Sequence, residues 1–213
     1  MTETPYIIKT AEWLKACVAP DHWPETGLPE FAFSGRSNAG KSSLLNSLAQ
    51  RNKLARVSKT PGCTQKINFF TINDECYFVD LPGYGYAKAP PQEKANWGKM
   101  IETYLKQSPN LIGLLQLLDV RRTPNADDLQ MIEWAVAFEI PLLLVLTKVD
   151  KVSKNERQKN IAAIRKAVRP IVGEVDPLLH LFSAQTNEGR EEILQQIALA
   201  LTAIKQGRDG DSD

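Results

Sequence analysis

The feature that most constrains this chain of 213 residues is the segment 35–42, which reads Gly-Arg-Ser-Asn-Ala-Gly-Lys-Ser. It follows the apolar, strand-like residues 31–33 and precedes an amphipathic, helix-like segment at 43–50. Glycines permit sharp turns in such a loop, so that successive N–H groups point inward and surround an anion. The positive end of the following helix dipole adds to this attraction. The segment therefore predicts that nucleotide phosphates are bound by Gly35, Arg36, Ser37, Asn38, Ala39, Gly40, Lys41 and Ser42.

A second segment supplies further groups for a phosphate and metal site. Lys41 carries a mobile positive charge for the β- and γ-phosphates, and the Ser42 hydroxyl is a hard oxygen ligand for Mg²⁺. Asp80 follows the strand-like residues 76–79 and is predicted to hold the Mg²⁺ through a water. The Gly83 N–H is predicted to contact the γ-phosphate. The predicted site includes all four residues of this segment, Asp80, Leu81, Pro82 and Gly83.

Two segments further along the chain indicate which base is bound. Residues 141–150 form an apolar strand pattern that ends in Thr147, Lys148, Val149 and Asp150. A carboxylate at the carboxyl end of a parallel strand faces the crevice in which nucleotides bind. Asp150 can accept hydrogen bonds from N1–H and the 2-amino group of guanine, whereas adenine offers neither donor there, and the Lys148 stem would cover one face of the base. The second segment, Phe182, Ser183 and Ala184, is predicted to contact guanine O6 through the Ala184 N–H.

Composition limits the class of protein to which the chain belongs. An apolar content of 43% is sufficient for one sizeable core. No apolar run approaches 18 residues and residues 1–5 lack a basic start, so neither a membrane span nor a signal peptide is expected. The three cysteines, Cys17, Cys63 and Cys76, have no metal-binding spacing and are expected to be free thiols in the cytoplasm.

Strand-like and helix-like segments alternate along the chain, which predicts an α/β fold with a mostly parallel sheet and helices on both faces. The predicted strands lie at 31–35, 66–72, 76–80, 111–119, 141–147 and 178–183. The predicted helices lie at 41–50, 91–107, 125–138, 154–168 and 188–204. The second and third strands are joined by residues 73–75 alone, so that pair is expected to be antiparallel and the six-stranded sheet to have one antiparallel edge strand. A single domain is predicted at 31–204, with an N-terminal extension at 1–30 and a disordered polar tail at 205–213.

Three longer motifs resemble the EngB family of bacterial GTP-binding proteins, also called YihA or YsxC, within the TrmE-Era-EngA-EngB-septin-like GTPases. They are residues 58–70, which include Ser-Lys-Thr-Pro-Gly-Cys-Thr-Gln and Ile-Asn-Phe-Phe, residues 80–100, which include Asp-Leu-Pro-Gly-Tyr-Gly-Tyr-Ala-Lys and Trp-Gly-Lys-Met, and residues 128–134. The resemblance implies a P-loop GTPase fold and GTP hydrolysis. It further implies a role in assembly of the large ribosomal subunit and, more loosely, in normal cell division and septation.

The resemblance also implies roles for a segment that the phosphate and base motifs do not include. Thr64 is implied to complete the Mg²⁺ shell with its hydroxyl and to sense the γ-phosphate with its backbone. The residues implied to contact the nucleotide there are Gly62, Cys63, Thr64, Gln65 and Lys66. Lys41, Thr64 and Gly83 would then carry the catalytic step. Family members often have Arg where this chain has Cys63, a departure that affects a contact to a partner and not Mg²⁺ binding.

Two positions depart from patterns that are common in GTPases. Tyr84 stands where many GTPases place a Gln that orients the attacking water, so slow hydrolysis and an external activator are expected. GTP is expected to order residues 58–66 and 83–90, and hydrolysis to release them. Thr147 replaces a common Asn and can form fewer side-chain hydrogen bonds, which predicts a looser tie between the base site and the phosphate loop.

Asn38 leaves two interpretations open. Some relatives with Asn at this point of the loop use it to hold K⁺ beside the phosphates, where the cation would replace an arginine finger. Alternatively, Asn38 only tolerates the turn geometry of the loop, which is the blander of the two interpretations.

The net charge is only +1, but basic residues are concentrated in two regions. Residues 36–66 contain seven Lys or Arg and no acid, and residues 148–169 contain eight basic residues against two acidic ones. The second excess is typical either of a solvated helix face or of a surface that binds ribosomal RNA. It includes Lys154, Arg157, Lys159, Arg165, Lys166 and Arg169. The expected partners are GTP or GDP and the large ribosomal subunit or its precursor, with no DNA partner and a monomeric chain.

Two other function classes stay open at this stage. One is a scaffold that binds nucleotide without hydrolysing it, although the set Lys41, Ser42, Thr64, Asp80 and Gly83 looks complete for hydrolysis. The other is a small-molecule kinase, which would require an Arg-rich lid or acceptor pocket. No such segment is present in the sequence, and the base motif that ends in Asp150 argues against ATP.

Overall fold

Seven strands form one mixed sheet in the described parts of the chain, which are residues 6–55, 66–85, 91–173 and 178–210 of a computed structural model. In chain order they are β1 (Ala11–Cys17), β2 (Glu30–Gly35), β3 (Ile67–Ile72), β4 (Cys76–Asp80), β5 (Leu111–Asp119), β6 (Leu142–Thr147) and β7 (Leu179–Phe182). Their order across the sheet is β1-β3-β4-β2-β5-β6-β7. The pairs β2–β4, β2–β5, β5–β6 and β6–β7 are parallel, whereas β3 is antiparallel to both β1 and β4. The predicted α/β fold with a mostly parallel sheet is confirmed.

The edge of the sheet corrects the prediction of six strands. The additional strand β1 lies at the edge, so the antiparallel strand β3 is one position further inside than expected. The pattern of β1 was hard to read because Trp13 and Leu14 are adjacent and both exposed, and the register shifts between Trp13 and Lys15. A bulge of this kind breaks the alternation of apolar and polar residues that identifies a strand. Residues 11–17 of the predicted N-terminal extension therefore belong to the sheet.

Five α-helices occupy the segments in which helices were predicted, within the described ranges. They are α1 (Lys41–Leu48), α2 (Pro91–Gln107), α3 (Ala126–Ala137), α4 (Lys154–Val172) and α5 (Arg190–Gly210). The last two are longer than predicted. In α4 the helix continues through Pro170, a residue that usually marks a helix end. In α5 the prediction of a disordered tail from residue 205 is wrong up to Gly210, because a formed helix extends at little cost and Lys205 pairs with Glu75 at 3.1 Å.

Apolar side chains cover both faces of the sheet. Phe31 and Phe33 of β2 point to one face, and Ala32 between them points to the other. On the first face the buried helix residues are Leu44, Leu45 and Leu48 of α1 and Ile193, Leu194, Ile197 and Leu201 of α5. On the second face they are Ile101, Tyr104 and Leu105 of α2, Met131, Ile132 and Ala135 of α3, and Ile164 and Val168 of α4. No helix in the described ranges is both long and apolar enough to cross a membrane.

The parallel strands place the candidate site at one edge of the sheet. Because β2, β4, β5, β6 and β7 run in the same direction, their carboxyl ends and the loops that follow lie side by side. Ligands of open α/β sheets bind at this edge. The loop between β2 and α1, Asp80 at the end of β4, Asp119 at the end of β5, Thr147 at the end of β6 and Ser183 after β7 are therefore neighbours.

Candidate nucleotide-binding site

The loop between β2 and α1 has a conformation that explains its glycines. Gly40 has a φ of 102°, in the region that residues with a Cβ rarely adopt. A Cβ on Gly35 would lie 3.0 Å from the carbonyl oxygen of Leu117 and 3.3 Å from the Cβ of Ala39. Asn38 also has a positive φ, 67°, which Asn tolerates better than most residues. This turn leads directly into α1, whose first residue is Lys41.

Two side chains, one at the end of β6 and one directly after it, donate hydrogen bonds to backbone carbonyl groups of this loop. The Thr147 hydroxyl donates to the carbonyl oxygen of Ala39 at 2.5 Å, and the Lys148 ammonium donates to the carbonyl oxygen of Asn38. Thr147 is 1% exposed, so its hydroxyl has no competing water. At the position where Asn is common, a hydroxyl therefore makes one of the two ties between the base motif and the phosphate loop. Because Thr147 has less hydrogen-bonding capacity than Asn, the prediction of a looser tie stays a prediction.

Lys41 and Asp80 form an ion pair at the start of α1 and the end of β4. Their side chains are 10% and 11% exposed, so the pair is largely removed from water. The next residues are fixed against the loop, since Leu81 N–H donates to the Phe33 carbonyl oxygen at 3.1 Å. A Cβ on Gly83 would lie 3.3 Å from the Ser37 nitrogen, so glycine permits the close approach of these two segments.

The donor set around Lys41 fits Mg²⁺ bound together with phosphates. Ser42 and Asp80 offer hydroxyl and carboxylate oxygens, the ligand type that Mg²⁺ prefers. Among the described residues no group of three or more His, Cys, Asp or Glu is placed to hold a metal by itself. Such a site would therefore depend on phosphate oxygens as further ligands. Four of the predicted contact residues, Gly62, Cys63, Thr64 and Gln65, lie outside the described residues, and Lys66 is exposed immediately before β3.

Asp150 and Ser183 meet on the side of the site predicted to bind the base. The Ser183 hydroxyl donates to Asp150 Oδ1 at 2.7 Å, and Lys151 lies 3.0 Å from Asp150 Oδ2. These two contacts hold the pKa of Asp150 below its ordinary value, with the Ser183 hydrogen bond as the larger cause. The carboxylate is therefore ionised, as an acceptor for two guanine donors has to be. The next residue, Ala184, is exposed and lines a cavity of about 910 Å³ between α1 and the turn before α5.

Asp119 is a neighbour of this site that the sequence analysis did not identify. It accepts hydrogen bonds from Lys148 Nζ at 2.9 Å and from Arg121 Nη2 at 2.7 Å. Burial alone would raise its pKa, but the Arg121 and Lys148 hydrogen bonds outweigh burial and hold the pKa far below its ordinary value. Its position at the carboxyl end of β5 was the available signal, since the same argument identified Asp150, which lies three residues after the end of β6.

Tyr84, the residue that follows Gly83, is buried. The phenol donates to Asp128 Oδ1 at 2.7 Å and accepts from the Gln116 amide. The ring packs against Trp97 with 5.5 Å between ring centroids. The Tyr84 carbonyl oxygen accepts from the Ser37 N–H at 2.8 Å. Tyr84 thus connects the segment after β4 to α3, to α2 and to the phosphate loop.

Comparison with known proteins identifies the family. Residues 30–148, more than half of the chain, match the family model of the 50S ribosome-binding GTPases. A probable GTP-binding protein EngB of Citrifermentans bemidjiense is 49% identical over 196 residues, which cover 92% of this chain and 90% of the relative. The chain belongs to the EngB family of GTP-binding proteins. A probable GTP-binding protein EngB of Exiguobacterium sp. is 46% identical over 197 residues, which cover 92% of this chain and 98% of the relative.

Solved structures agree on the fold. A crystal structure of a probable GTP-binding protein engB matches with a TM-score of 0.67 at 22% identity, over 82% of this chain and 99% of that one. Membership in the EngB family confirms the resemblance on which the sequence analysis relied. The protein is therefore a GTP-binding protein of a GTPase family. The roles of individual site residues stay predictions.

Proposed function

We propose that the protein is a GTP-dependent switch that hydrolyses GTP slowly and acts in assembly of the large ribosomal subunit. The observation that carries the nucleotide assignment is the Asp150 carboxylate, which Ser183 holds at 2.7 Å at the same sheet edge as the phosphate loop. Guanine offers this carboxylate two further donors, whereas adenine offers neither of them, a difference of about 1–3 kcal/mol. The Ala184 N–H would bind guanine O6, and the Lys148 stem would cover the base.

The phosphates would be bound by residues 35–42, and Lys41 would exchange its partner Asp80 for the β- and γ-phosphates. Mg²⁺, when bound, neutralises charge on the β- and γ-phosphates and orders their oxygens. Ser42 and Thr64 would hold it directly and Asp80 through a water. Gly83 would contact the γ-phosphate, so that Lys41, Thr64 and Gly83 carry the catalytic role. Residues 62–66 would contact the nucleotide.

Slow hydrolysis is supported by the contacts of Tyr84. A side chain that is hydrogen-bonded to Asp128 and packed on Trp97 is not free to orient an attacking water. An external activator would supply the missing group. GTP would order residues 58–66, and a release of residues 83–90 on hydrolysis would have to break the contacts of Tyr84. Multiple-turnover assays of the purified protein test this proposal. We expect well below one turnover per second and loss of all hydrolysis in Lys41→Ala; a rate of many turnovers per second would refute it, and hydrolysis below detection would favour a scaffold.

For Asn38 we infer a structural role and not a K⁺ site. Its φ of 67° explains the choice of Asn by turn geometry, and its carbonyl oxygen already binds Lys148. Equal hydrolysis rates in KCl and NaCl at matched ionic strength are expected. Faster hydrolysis in KCl would instead support the cation.

The proposed contact with ribosomal RNA is the exposed basic face of α4. We define this face by Lys154, Lys159, Arg165, Lys166 and Arg169, all of which are exposed. These five side chains share one side of the helix. The only acidic residue of α4, Glu156, lies outside that side of the helix. Arg157 was expected to belong to this surface but points to the sheet side of the helix and pairs with Glu188. A face with excess positive charge and no acid is suited to a phosphate backbone.

Sedimentation with ribosomal particles tests this face. The triple variant Lys159→Glu, Lys166→Glu and Arg169→Glu is expected to lose binding to large-subunit precursors. The control variant, Lys9→Glu, Lys99→Glu and Lys106→Glu, makes the same charge change at exposed positions elsewhere. Equal binding by the two variants would exclude this face. We further propose a location in the cytoplasm, a monomeric chain and a link to cell division and septation. Depletion of the protein would test the link to cell division.

Competition against labelled GDP tests the nucleotide assignment itself. We expect unlabelled GDP to compete and ADP to fail at a hundredfold higher concentration. Competition by ADP at similar concentrations would refute guanine recognition and would favour a kinase.

A further inference from the structure

Arg157 contacts both segments that are assigned to the base. It lies on α4, where its Nη2 donates to the Val149 carbonyl oxygen at 3.0 Å. Its Nη1 donates to Glu188 Oε1 at 2.6 Å, and Nη2 is 3.4 Å from Glu188 Oε2. Val149 directly precedes Asp150, and Glu188 lies in the turn between β7 and α5 that contains Ser183. One guanidinium therefore joins the two segments.

The contacts of Arg157 close a ring that includes Asp150. The Glu188 carbonyl oxygen accepts from the Ser183 N–H at 3.1 Å. The Ser183 hydroxyl donates to Asp150 Oδ1 at 2.7 Å. Asp150 is bonded through the chain to Val149, whose carbonyl oxygen returns to Arg157. Displacing any one member of this ring would change where the Asp150 carboxylate points.

We propose that Arg157 is a positioning residue for guanine recognition, which orients Asp150 toward the N1–H and 2-amino donors of the base. This inference rests on the proposed function, because that function assigns Asp150 to guanine. Arg157 makes its contacts from α4 and does not touch the base. It acts on the carboxylate through Val149 on one side and through Glu188 and Ser183 on the other.

A salt bridge that only stabilises the fold is the competing explanation. The Glu188 side chain is 41% exposed, and exposed ion pairs contribute little to stability. Among the described residues Arg157 Nε is one of few buried side-chain atoms without a hydrogen-bond partner. A buried donor without a partner is destabilising. The contacts of Arg157 are therefore poorly suited to stabilising α4. They are better suited to fixing the segment of Val149 relative to the segment of Glu188.

Binding of GDP and inosine diphosphate separates the two explanations. Inosine diphosphate lacks only the 2-amino group, so the ratio of the two Kd values reports on the hydrogen bond from that group to Asp150. In Arg157→Ala we expect the Kd for GDP to rise about tenfold, as loss of one such hydrogen bond would produce. The Kd for inosine diphosphate is expected to rise much less, so the preference for GDP shrinks. Gln158→Ala, an exposed neighbour on α4, is the control and should leave both Kd values unchanged.

Two further variants keep the test decisive. Glu188→Gln retains the size of the side chain but removes its charge, and it should reduce the same preference in the same direction. If Arg157→Ala folds poorly, Arg157→Lys retains one donor, and an intermediate loss of preference is expected. Equal weakening of GDP and inosine diphosphate in these variants would show that Arg157 only stabilises the fold. If the unmodified protein does not prefer GDP over ADP, the proposed function fails, whereas a wild-type preference that Arg157→Ala leaves intact refutes this inference alone.

Discussion

The phenol of Tyr84 donates a hydrogen bond of 2.7 Å to a carboxylate oxygen of Asp128, 44 residues later in the chain. Both side chains are 3% exposed. Asp128 is also the third residue of α3, where it accepts from the Asn125 N–H in a capping box. The start of the segment that follows β4 is thereby attached to the start of α3. Any rearrangement of this segment that moves Tyr84 has to break a buried hydrogen bond.

Replacing Tyr84 by Phe should destabilise the protein without changing the shape of its core. The change leaves Asp128 Oδ1 and the Gln116 amide without a shared partner in a buried site, which costs about 1–3 kcal/mol. Urea unfolding of Tyr84→Phe, Asp128→Asn and the double variant measures the coupling. If the losses in free energy of unfolding of the two single variants add up to that of the double variant, the hydrogen bond between Tyr84 and Asp128 contributes nothing to stability.

The parts of the fold that could be predicted from sequence are those with local signals. The phosphate loop was readable because the requirement for glycine at residue 40 is local. The strand ends that carry Asp80, Thr147 and Asp150 followed from apolar runs with polar ends. The length of α5 was not readable, because the residues beyond 204 are polar and the apolar pattern ends there.

Contacts between distant residues could not be predicted in the same way. A Tyr after Gly83 gives no sign that its hydroxyl will be buried against α3. In the sequence, Arg157 is one basic residue among several in a charged run. Its contact with Glu188, 31 residues later in the chain, distinguishes it from the residues of the exposed face. Strand β1 was missed for a related reason, since its assignment depends on pairing with β3 and not on its own pattern.

The pH dependence of stability should reveal the burial of Asp128. Burial raises the pKa of its carboxyl, and hydrogen bonds from Asn125 and Tyr84 offset this in part. Because the folded-state pKa lies above the unfolded one, the protonated form favours folding, and this contribution is lost as the pH rises through the folded pKa. The free energy of unfolding of Asp128→Asn, relative to the wild type, should therefore increase as the pH rises above about 4. Glu133→Gln removes an exposed charge from the same helix and is the control. If the free energy of unfolding of Asp128→Asn relative to the wild type did not change with pH, the raised pKa of Asp128 would be contradicted.

The Thr147 hydroxyl should matter for nucleotide binding more than its distance from the phosphates suggests. Thr147→Val keeps the shape but leaves the Ala39 carbonyl oxygen without its donor, so the phosphate loop loses one of its two ties to β6. We expect a loss of about 1–3 kcal/mol in stability and a several-fold weaker affinity for GDP. Thr202→Val on α5 is a matched control, because it removes a hydroxyl bonded to the Ala198 carbonyl oxygen far from the site. Unchanged GDP affinity in Thr147→Val would show that Lys148 alone holds the loop.

Gly189 offers a comparison with a second glycine that has the same φ. Gly173 and Gly189 both have a φ of 80°, but a Cβ on Gly173 meets nothing within 4 Å, whereas one on Gly189 would lie 1.6 Å from the Leu181 carbonyl oxygen. Gly173→Ala should therefore cost only backbone strain, about 1–3 kcal/mol, because a φ of 80° with a ψ of −155° is a combination that residues with a Cβ rarely adopt. Gly189→Ala adds a clash between the turn before α5 and β7, for which about 3 kcal/mol more is expected. Because the same turn holds Ser183 and Glu188, only Gly189→Ala should also weaken GDP binding. Thermal unfolding with and without GDP measures both effects, and similar losses of stability in the two variants would mean that the turn is free to move away from β7.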